Sequence, residues 1–251
     1  MFVDPVWTEG RLIPMLEFDH PASEPAWNGF LHCGRVPCPP LAAIIKPLLL
    51  RLFPWVEGFS WNQELSNIAA QWLGFMRVFH PNEQGGLSQV EMRSVLRAMS
   101  DETRNRFIFW LGLVGKENEN GWAEHVIPLI IEDWPRERRY RTAASMRSWI
   151  GLLVNTGDSF PIVYEAMKKF VVPVETNDYP FHRFTREIRD EMPITVLFPE
   201  TTLDLMNRAT PQVLTRPSYE LPKVLALIAE TEPNLTSDPR YLRLIDLVER
   251  S

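Results

Sequence analysis

The chain has 251 residues, of which 45% are hydrophobic and 23% charged, and a formal net charge of -6 at pH 7. This is the composition of an ordinary globular protein, and it excludes a disordered chain, a collagen and a disulfide-rich scaffold. The acidic net charge also argues against a surface built throughout for nucleic acid, although a local basic patch is compatible with it.

No stretch of the sequence has the pattern of a membrane span or a secretory signal. The most apolar runs are Leu41 to Leu50, which Lys46 interrupts, and Val126 to Ile131. Both are far shorter than the roughly 20 residues that a membrane span needs. The first residues also lack the basic and apolar regions of a signal peptide. We therefore expect a cytoplasmic protein that does not bind a membrane.

Proline is enriched over glycine, with 22 prolines against 12 glycines. Elements are therefore expected to be stopped or bent more often than usual, and residues 1–39 are predicted to be an irregular, proline-rich segment. This segment ends with His32, Cys33 and Cys38, which are residue types that bind zinc. A structural zinc site needs four ligands, and no second pair follows. We expect two reduced thiols, no metal and no cofactor.

Residues 40–170 are predicted to form a block of helices with the arrangement of a helical repeat. The spacing of apolar residues predicts helices over 41–53, 61–79, 122–132, 142–154 and 158–170. A Ser88–Glu91 capping box predicts the start of another helix, and Asp101 is expected to cap the one after it. Pro47 and Pro128 are expected to bend their helices. The polar stretch 116–121 predicts a surface loop. Gly157 is expected to follow one helix end and Asp158 to cap the next.

Residues 171–199 are predicted to be an irregular connection, in which 194–198 form a short strand or an extended segment. Residues 200–251 are predicted to return to helices that pack on the same domain: 200–209, 219–229 and a last helix that begins at Asp238-Pro239. Helix pairs with short connections are typical of HEAT-like repeats. No motif recurs at a fixed interval, however. The predicted fold is therefore an all-α, irregular HEAT-like helical-repeat array, with a compact helical bundle as the alternative.

The most distinctive local chemistry lies in residues 134–141. This segment supplies six candidate partner-binding residues: Trp134, Arg136, Arg138, Arg139, Tyr140 and Arg141. Arginine binds phosphate or carboxylate through parallel hydrogen bonds, and aromatic rings stack on bases. The segment therefore suits a nucleic acid or an acidic partner. The alternative, which the nearby Glu132, Asp133 and Glu137 favour, is a Trp134 packed in the core and arginines that bind the helix end and these carboxylates.

Six of the nine tryptophans fall into two groups. Trp72, Trp110 and Trp149 occur at helical spacing within apolar stripes, which predicts that they pack in the core. Trp7, Trp27 and Trp55 lie in proline-rich, irregular sequence and are the better candidates for a partner surface, because tryptophan is enriched at binding hot spots. Of these, Trp27 and Trp55 are added to the partner-binding candidates.

No motif in the sequence predicts catalysis. The five histidines are scattered, with no HExxH arrangement and no GxSxG elbow. The phosphate-binding patterns GxxxxGK[ST] and GxGxxG are also absent from the sequence. We therefore assign no catalytic residue and expect that the protein is not an enzyme.

Three stretches resemble a known module. They are residues 27–31 together with the apolar run 41–50 around Lys46-Pro47, residues 122–130 together with 134–138, and residues 157–161 together with 172–175. They resemble the helical C-terminal module, of unassigned function, that follows the sirtuin-like NAD-consuming domain of large bacterial anti-phage defence proteins. Because the sequence has no Gly-rich NAD-binding loop, the NAD-cleaving activity is not carried over. The resemblance implies a free-standing sensor, regulator or assembly subunit, or the C-terminal product of a longer gene.

The sequence and the resemblance together predict a non-catalytic macromolecular interaction protein of a bacterial anti-phage defence system. The expected partner is a protein, either a defence effector subunit or a phage protein, and association with further copies of the chain is left open. A nucleic-acid-binding adaptor that uses the arginines of residues 134–141 is the first alternative. An enzyme of unrecognised type is the second.

Overall fold

The computed structural model describes residues 5–33, 39–55, 63–80, 85–174, 181–185, 192–214 and 219–250. All regular secondary structure within these ranges is helical, which confirms the all-α prediction. In the same ranges, no helix is long and apolar enough to cross a membrane. The chain divides into two compact units. Unit 1 comprises residues 1–111 and 132–135, and unit 2 comprises residues 112–131 and 136–251.

The α-helices of the described residues, in chain order, are α1 (Pro5–Trp7), α2 (Ile13–Leu16), α3 (Ser23–Cys33), α4 (Pro39–Trp55), α5 (Gln63–Val78), α6 (Gln89–Ala98), α7 (Asp101–Glu117), α8 (Ile127–Glu132), α9 (Ala143–Leu153), α10 (Phe160–Met167), α11 (Ile194–Leu197), α12 (Pro199–Ala209), α13 (Leu221–Thr231) and α14 (Pro239–Glu249). Two π-helical turns, Thr8–Leu12 and Trp122–Val126, precede α2 and α8. The division between the units runs through α7 and through the end of α8.

Unit 1 begins with helices where the sequence predicts irregular structure. Within residues 1–39, α3 runs for 11 residues. Pro25 does not interrupt it, because a first-turn residue needs no intrahelical hydrogen bond from its nitrogen. Trp27 on α3 is fully buried, and its indole Nε1 donates to the carbonyl oxygen of Leu16 at 2.9 Å. The helix is thereby held to α2.

Serine side chains cap the N-termini of two further helices in unit 1, α6 and α7. At α6 the capping box is confirmed: the backbone nitrogen of Glu91 donates to Ser88 Oγ at 3.3 Å, and the Ser88 nitrogen donates to Glu91 Oε2 at 2.8 Å. At α7 the prediction was wrong by one residue. The Thr103 nitrogen donates to Ser100 Oγ at 3.2 Å, so Ser100 supplies the cap and Asp101 is the first helical residue.

Residues 132–135 belong to unit 1 although they follow a segment of unit 2. Asp133 is 0% exposed, and its carboxylate accepts hydrogen bonds from Arg77 on α5, at 2.7 Å from Nε and 3.3 Å from Nη2. The Trp134 ring is also buried and stacks on Phe107 of α7, with the ring centroids 6.3 Å apart. A buried ion pair and an aromatic stack therefore fix this short segment onto unit 1.

Unit 2 contains α9 to α14 and shorter helical turns. Its Asp238 cap is confirmed, since Asp238 Oδ1 accepts from the Arg240 nitrogen at 2.7 Å. Gly157 has a φ of +53°, the left-handed conformation that glycine adopts readily. The sequence predicted that Asp158 caps α10, and this prediction was wrong. Asp158 lies inside a 3-10 turn, Gly157–Ser159, that leads into α10.

Residues 194–198 were predicted to be a strand or an extended segment, and this prediction was wrong. Residues 194–197 form the short helix α11, in which the nitrogens of Val196 and Leu197 donate to the Pro193 carbonyl. The buried Thr195 hydroxyl donates to the Phe184 carbonyl at 2.7 Å. Branched side chains favour strands only where a neighbouring strand is available, and here tertiary contacts determine the conformation instead.

Candidate functional site

The arginines predicted to bind a partner lie in unit 2, around a 3-10 turn, Arg138–Tyr140, that follows α8. Arg136 Nη2 donates to the carbonyl oxygen of Ile131 in the last turn of α8 at 2.9 Å. Arg141 Nη2 donates to the carbonyl oxygen of Arg136 at 2.7 Å. Two of the candidate arginines therefore bind backbone oxygens, as one of the two sequence interpretations predicted.

The other part of that interpretation was wrong, because the neighbouring carboxylates do not pair with these arginines. Asp133 and Glu132 are held by Arg77, whose guanidinium nitrogens lie 2.7 and 3.8 Å from their carboxylate oxygens. Within the described ranges, no carboxylate forms an ion pair with Arg136, Arg138, Arg139 or Arg141. These four arginines are therefore not engaged in ion pairs with the described carboxylates.

Trp134 packs in the core, as the alternative interpretation of residues 134–141 predicted, whereas Trp27 and Tyr140 are placed differently from the prediction. Trp27 and Trp134 are buried in unit 1, and Tyr140 is buried in unit 2. The Arg139 guanidinium lies 4.7 Å from the centroid of the Tyr140 ring and covers one face of that ring. The side chain of Trp55 lies outside the described residues. The three described rings are core residues and do not offer a stacking face to a partner.

Lys169 is a third cation close to Arg136 and Arg141. Lys169 lies in a 3-10 turn, Lys168–Phe170, that follows α10. Burial, together with the positive charges of Arg136 and Arg141, lowers the pKa of Lys169 below its ordinary value. We call Arg136, Arg141 and Lys169 the basic cluster. In the described part of the chain, none of its members forms an ion pair with a carboxylate.

Lys169 also lines an open groove of about 860 Å³ that lies wholly within unit 2. We call this the unit 2 groove. Its lining is formed by Ile127, Ile131, Pro161, Ile162, Tyr164, Glu165, Ala166, Lys168, Lys169, Glu200, Thr201, Asp204 and Arg240. Two apolar side chains in it are well exposed: Ile131 on α8 is 41% exposed, and Ile162 on α10 is 51% exposed. The groove thus combines exposed apolar surface with a cation of the basic cluster.

A hydrogen-bonded network lies at another part of the groove and joins α10, α12 and α14. The Tyr164 hydroxyl donates to Asp204 Oδ2 at 2.5 Å. Arg208 Nε donates to the same oxygen at 2.9 Å, and Arg240 Nη1 lies 3.5 Å from Asp204 Oδ1. Arg240 also pairs with Glu200 and Asp238. The carboxylates in this part of the groove are therefore already matched by arginines.

The network moves the pKa values of both its central groups away from neutrality. Burial, and then the hydrogen bond to Asp204, raise the pKa of Tyr164 well above its ordinary value. Burial by itself raises the pKa of Asp204, but hydrogen bonds from Tyr164 and Arg208 and the charges of Arg208 and Arg240 lower it overall. General acid-base catalysis works best with a pKa near the operating pH. The arrangement is therefore suited to holding three helices together.

Sequence reasoning did not identify Lys169, Ile131 or Ile162 as functional residues. Ile131 belongs to an apolar helical stripe, and such stripes usually lie in the core. Lys169 follows a helix end, where cations are common. Nothing local indicates that the chain brings these residues to one groove, because their contacts are long-range.

Within the described residues, no cluster of three or more His, Cys, Asp or Glu side chains is arranged to hold a metal ion. The side chain of Cys33, and Cys38 as a whole, lie outside the described residues.

No family model, curated protein or solved structure matches the chain. The geometry and charge of unit 2 are therefore the main basis for a functional proposal.

Proposed function

We propose that the protein is a non-catalytic macromolecular interaction protein that binds a protein partner through the unit 2 groove and the basic cluster. The observation that carries the proposal is the groove itself. It places two well-exposed isoleucines beside Lys169, which forms no ion pair with the described carboxylates. Arg136, another member of the basic cluster, donates to the carbonyl oxygen of one of these isoleucines, Ile131. Protein-binding sites commonly combine an exposed apolar centre with polar and charged surroundings.

The Tyr164–Asp204 network supports binding in a second way. It joins α10, which carries Ile162, to α12 and α14 through hydrogen bonds and ion pairs. A wall held in one conformation loses little conformational entropy when a partner binds. The groove is therefore preorganised on this side.

The proposed biological role is that of a sensor, regulator or assembly subunit of a bacterial anti-phage defence system. It rests on the resemblance of residues 27–31 with 41–50, 122–130 with 134–138, and 157–161 with 172–175 to the helical module of sirtuin-like defence proteins. We propose in addition that the helices form a HEAT-like array, a class of fold that uses its extended surface to bind other macromolecules.

The proposal can be tested by affinity capture from a phage-infected bacterial host. The bait is the full chain, compared with Ile162→Asp in the groove and with Leu242→Asp as a matched control. Leu242 is 54% exposed in unit 2 and does not line the groove. We expect a host or phage protein that wild type and Leu242→Asp retain and that Ile162→Asp loses. Equal capture by all three baits would refute binding at the groove.

A nucleic-acid-binding adaptor is a second candidate. It is favoured because no described carboxylate forms an ion pair with Arg136, Arg138, Arg139 or Arg141. Fluorescence anisotropy with labelled single-stranded and double-stranded DNA and RNA tests it directly. Phosphate binding predicts affinity that falls steeply with salt and is lost when these arginines are replaced. Absence of affinity at low salt would eliminate this candidate.

An enzyme of unrecognised type is the remaining alternative. Incubation of the full chain with NAD⁺ and with common phosphoesters, followed by detection of products, is a direct test. Turnover above a heat-denatured control would contradict the non-catalytic role.

A further inference from the structure

We propose that the unit 2 groove binds an acidic, amphipathic peptide segment of the partner. Apolar side chains of this peptide would cover Ile131 and Ile162, and its carboxylates would lie at Arg136, Arg141 and Lys169. The inference rests on the proposed function, because it names the chemical class of partner that the same groove recognises.

The apolar part of the inference comes from the two isoleucines. Ile131 and Ile162 lie on different helices, α8 and α10, yet both line the groove and remain about half exposed. Removing such surface from water is favourable and needs no particular geometry. A partner side chain placed in the groove can contact both isoleucines and thereby exclude water from between α8 and α10.

The charged part comes from the imbalance of ion pairs around the groove. Its carboxylates are already paired: Asp204 with Arg208 and Arg240, Glu200 with Arg240, and Glu165 with Lys168. In contrast, Lys169 in the lining and Arg136, which donates to the carbonyl oxygen of the lining residue Ile131 at 2.9 Å, have no carboxylate within ion-pair distance among the described residues. The positive charges of Arg136 and Arg141 also act on Lys169. A carboxylate of the partner would relieve this repulsion and form charge-assisted hydrogen bonds.

A peptide suits these features better than a nucleic acid does. Single-stranded nucleic acids bind largely by stacking their bases on exposed aromatic rings. The aromatic residue in the lining is Tyr164, which is buried and bound through its hydroxyl to Asp204. The isoleucines offer no comparable stacking face. An acidic peptide with apolar residues, however, complements both the apolar surface and the cations.

The size of the groove agrees with a short segment. Its volume of about 860 Å³ falls within the roughly 300–1,000 Å³ of clefts that hold small ligands. It therefore accommodates a few side chains of the partner.

The experiment is selection of a random dodecapeptide phage library on the immobilised full chain. We expect enriched sequences that combine Asp or Glu with Leu, Ile or Phe. An enriched peptide is then synthesised with a fluorescent label, and its affinity is measured by anisotropy. Ile162→Asp and Lys169→Glu should each weaken binding at least tenfold, whereas the controls Leu242→Asp and Lys116→Glu should change it less than twofold. Circular dichroism checks that each variant remains helical.

A charge swap makes the test specific for the carboxylates. A peptide in which lysine replaces the acidic residues should bind wild type at least tenfold more weakly and should regain affinity for Lys169→Glu. The inference is overturned if no peptide is enriched, if enriched peptides lack acidic residues, or if binding ignores both groove variants. It is also overturned if a labelled 20-nucleotide single-stranded DNA binds the same cations more tightly than the peptides do.

Failure of the inference can be distinguished from failure of the proposed function. If a host or phage protein is captured in a manner that depends on Ile162, but the selected peptides are not acidic, the groove binds a protein of other chemistry. If capture does not depend on Ile162, the proposed function itself is wrong.

Discussion

Replacing Arg77 with methionine is expected to destabilise unit 1 more than replacing its buried partner Asp133 with asparagine. Asp133 is 0% exposed, and the Arg77 side chain is 17% exposed. Arg77→Met therefore leaves a carboxylate enclosed by protein without its guanidinium. Asp133→Asn removes the buried charge and leaves Arg77 a route to solvent. The double variant Arg77→Met/Asp133→Asn should be more stable than Arg77→Met alone.

The magnitude follows from the geometry of the pair. Two hydrogen bonds of 2.7 and 3.3 Å join the groups, and removing one partner of a buried ion pair costs about 3–5 kcal/mol. Asparagine keeps a similar shape and can still accept a hydrogen bond, so its cost is about 1–3 kcal/mol, as for an imperfectly paired buried polar group. The two single variants should therefore differ by about 2 kcal/mol.

The loss of stability in Arg77→Met is expected to depend on pH, because the pKa of Asp133 changes on folding. Burial raises the pKa of Asp133, and this effect outweighs the hydrogen bonds and charge of Arg77, which lower it. An acid whose pKa is raised in the folded state stabilises the fold when it is protonated, and that contribution is lost as the pH rises through the folded pKa. Without Arg77 the pKa rises further. The deficit of Arg77→Met should therefore shrink as the pH falls from neutrality.

The assay is urea denaturation of the full chain, followed by tryptophan fluorescence. Hydrogen exchange of α5 and of residues 132–135 serves as the local measurement within unit 1. The reasoning is refuted if Arg77→Met costs less than about 1 kcal/mol, well below the range for a broken buried pair. It also fails if Asp133→Asn is the more destabilising change, or if the costs of the two single variants simply add in the double variant.

Three smaller predictions can be checked by the same denaturation assay. Ser88→Ala removes the side-chain cap of α6 and should cost about 1 kcal/mol. Gly74→Ala should cost about 1–3 kcal/mol, because an added Cβ overlaps the Trp110 ring. Its matched control, Gly112→Ala, has open space at Cβ and should stabilise by up to about 1 kcal/mol. Tyr164→Phe should cost about 1.5–3 kcal/mol, because the hydroxyl donates to a carboxylate. An unchanged midpoint in Ser88→Ala, Gly74→Ala or Tyr164→Phe would contradict the corresponding contact.

The parts of the fold that sequence reasoning predicted are those in which the signal is local. The capping box at Ser88 and the Asp238-Pro239 helix start depend on residues two or three positions apart, and both are present as expected. Helical periodicity also predicted Trp72 and Trp149 to be core residues, and both are buried. Such features need no knowledge of which segments meet in space.

The features that sequence reasoning missed depend on contacts between distant segments. The environment of Trp27 was misjudged because proline suggested irregular structure, whereas α3 buries the ring and supplies its indole with a partner. The carboxylates of Glu132 and Asp133 were assigned to adjacent arginines, yet Arg77, far away in sequence, binds them. Proximity along the chain is a poor guide to pairing, because burial of Asp133 makes a tertiary partner necessary.

The candidate site depends on which cation pairs with Glu132 and Asp133. If Glu132 and Asp133 paired with the arginines of residues 136–141, these two carboxylates and Glu137 would offset three of the four positive charges. Because Arg77 binds both carboxylates within unit 1, the arginines of residues 136–141 remain without acidic partners among the described residues. Lys169 then adds its charge to theirs at a groove that also exposes isoleucine. Because Arg77 occupies both carboxylates, the positive charges of these arginines and of Lys169 are available to an acidic partner. Acidity in the partner is therefore the property to test first.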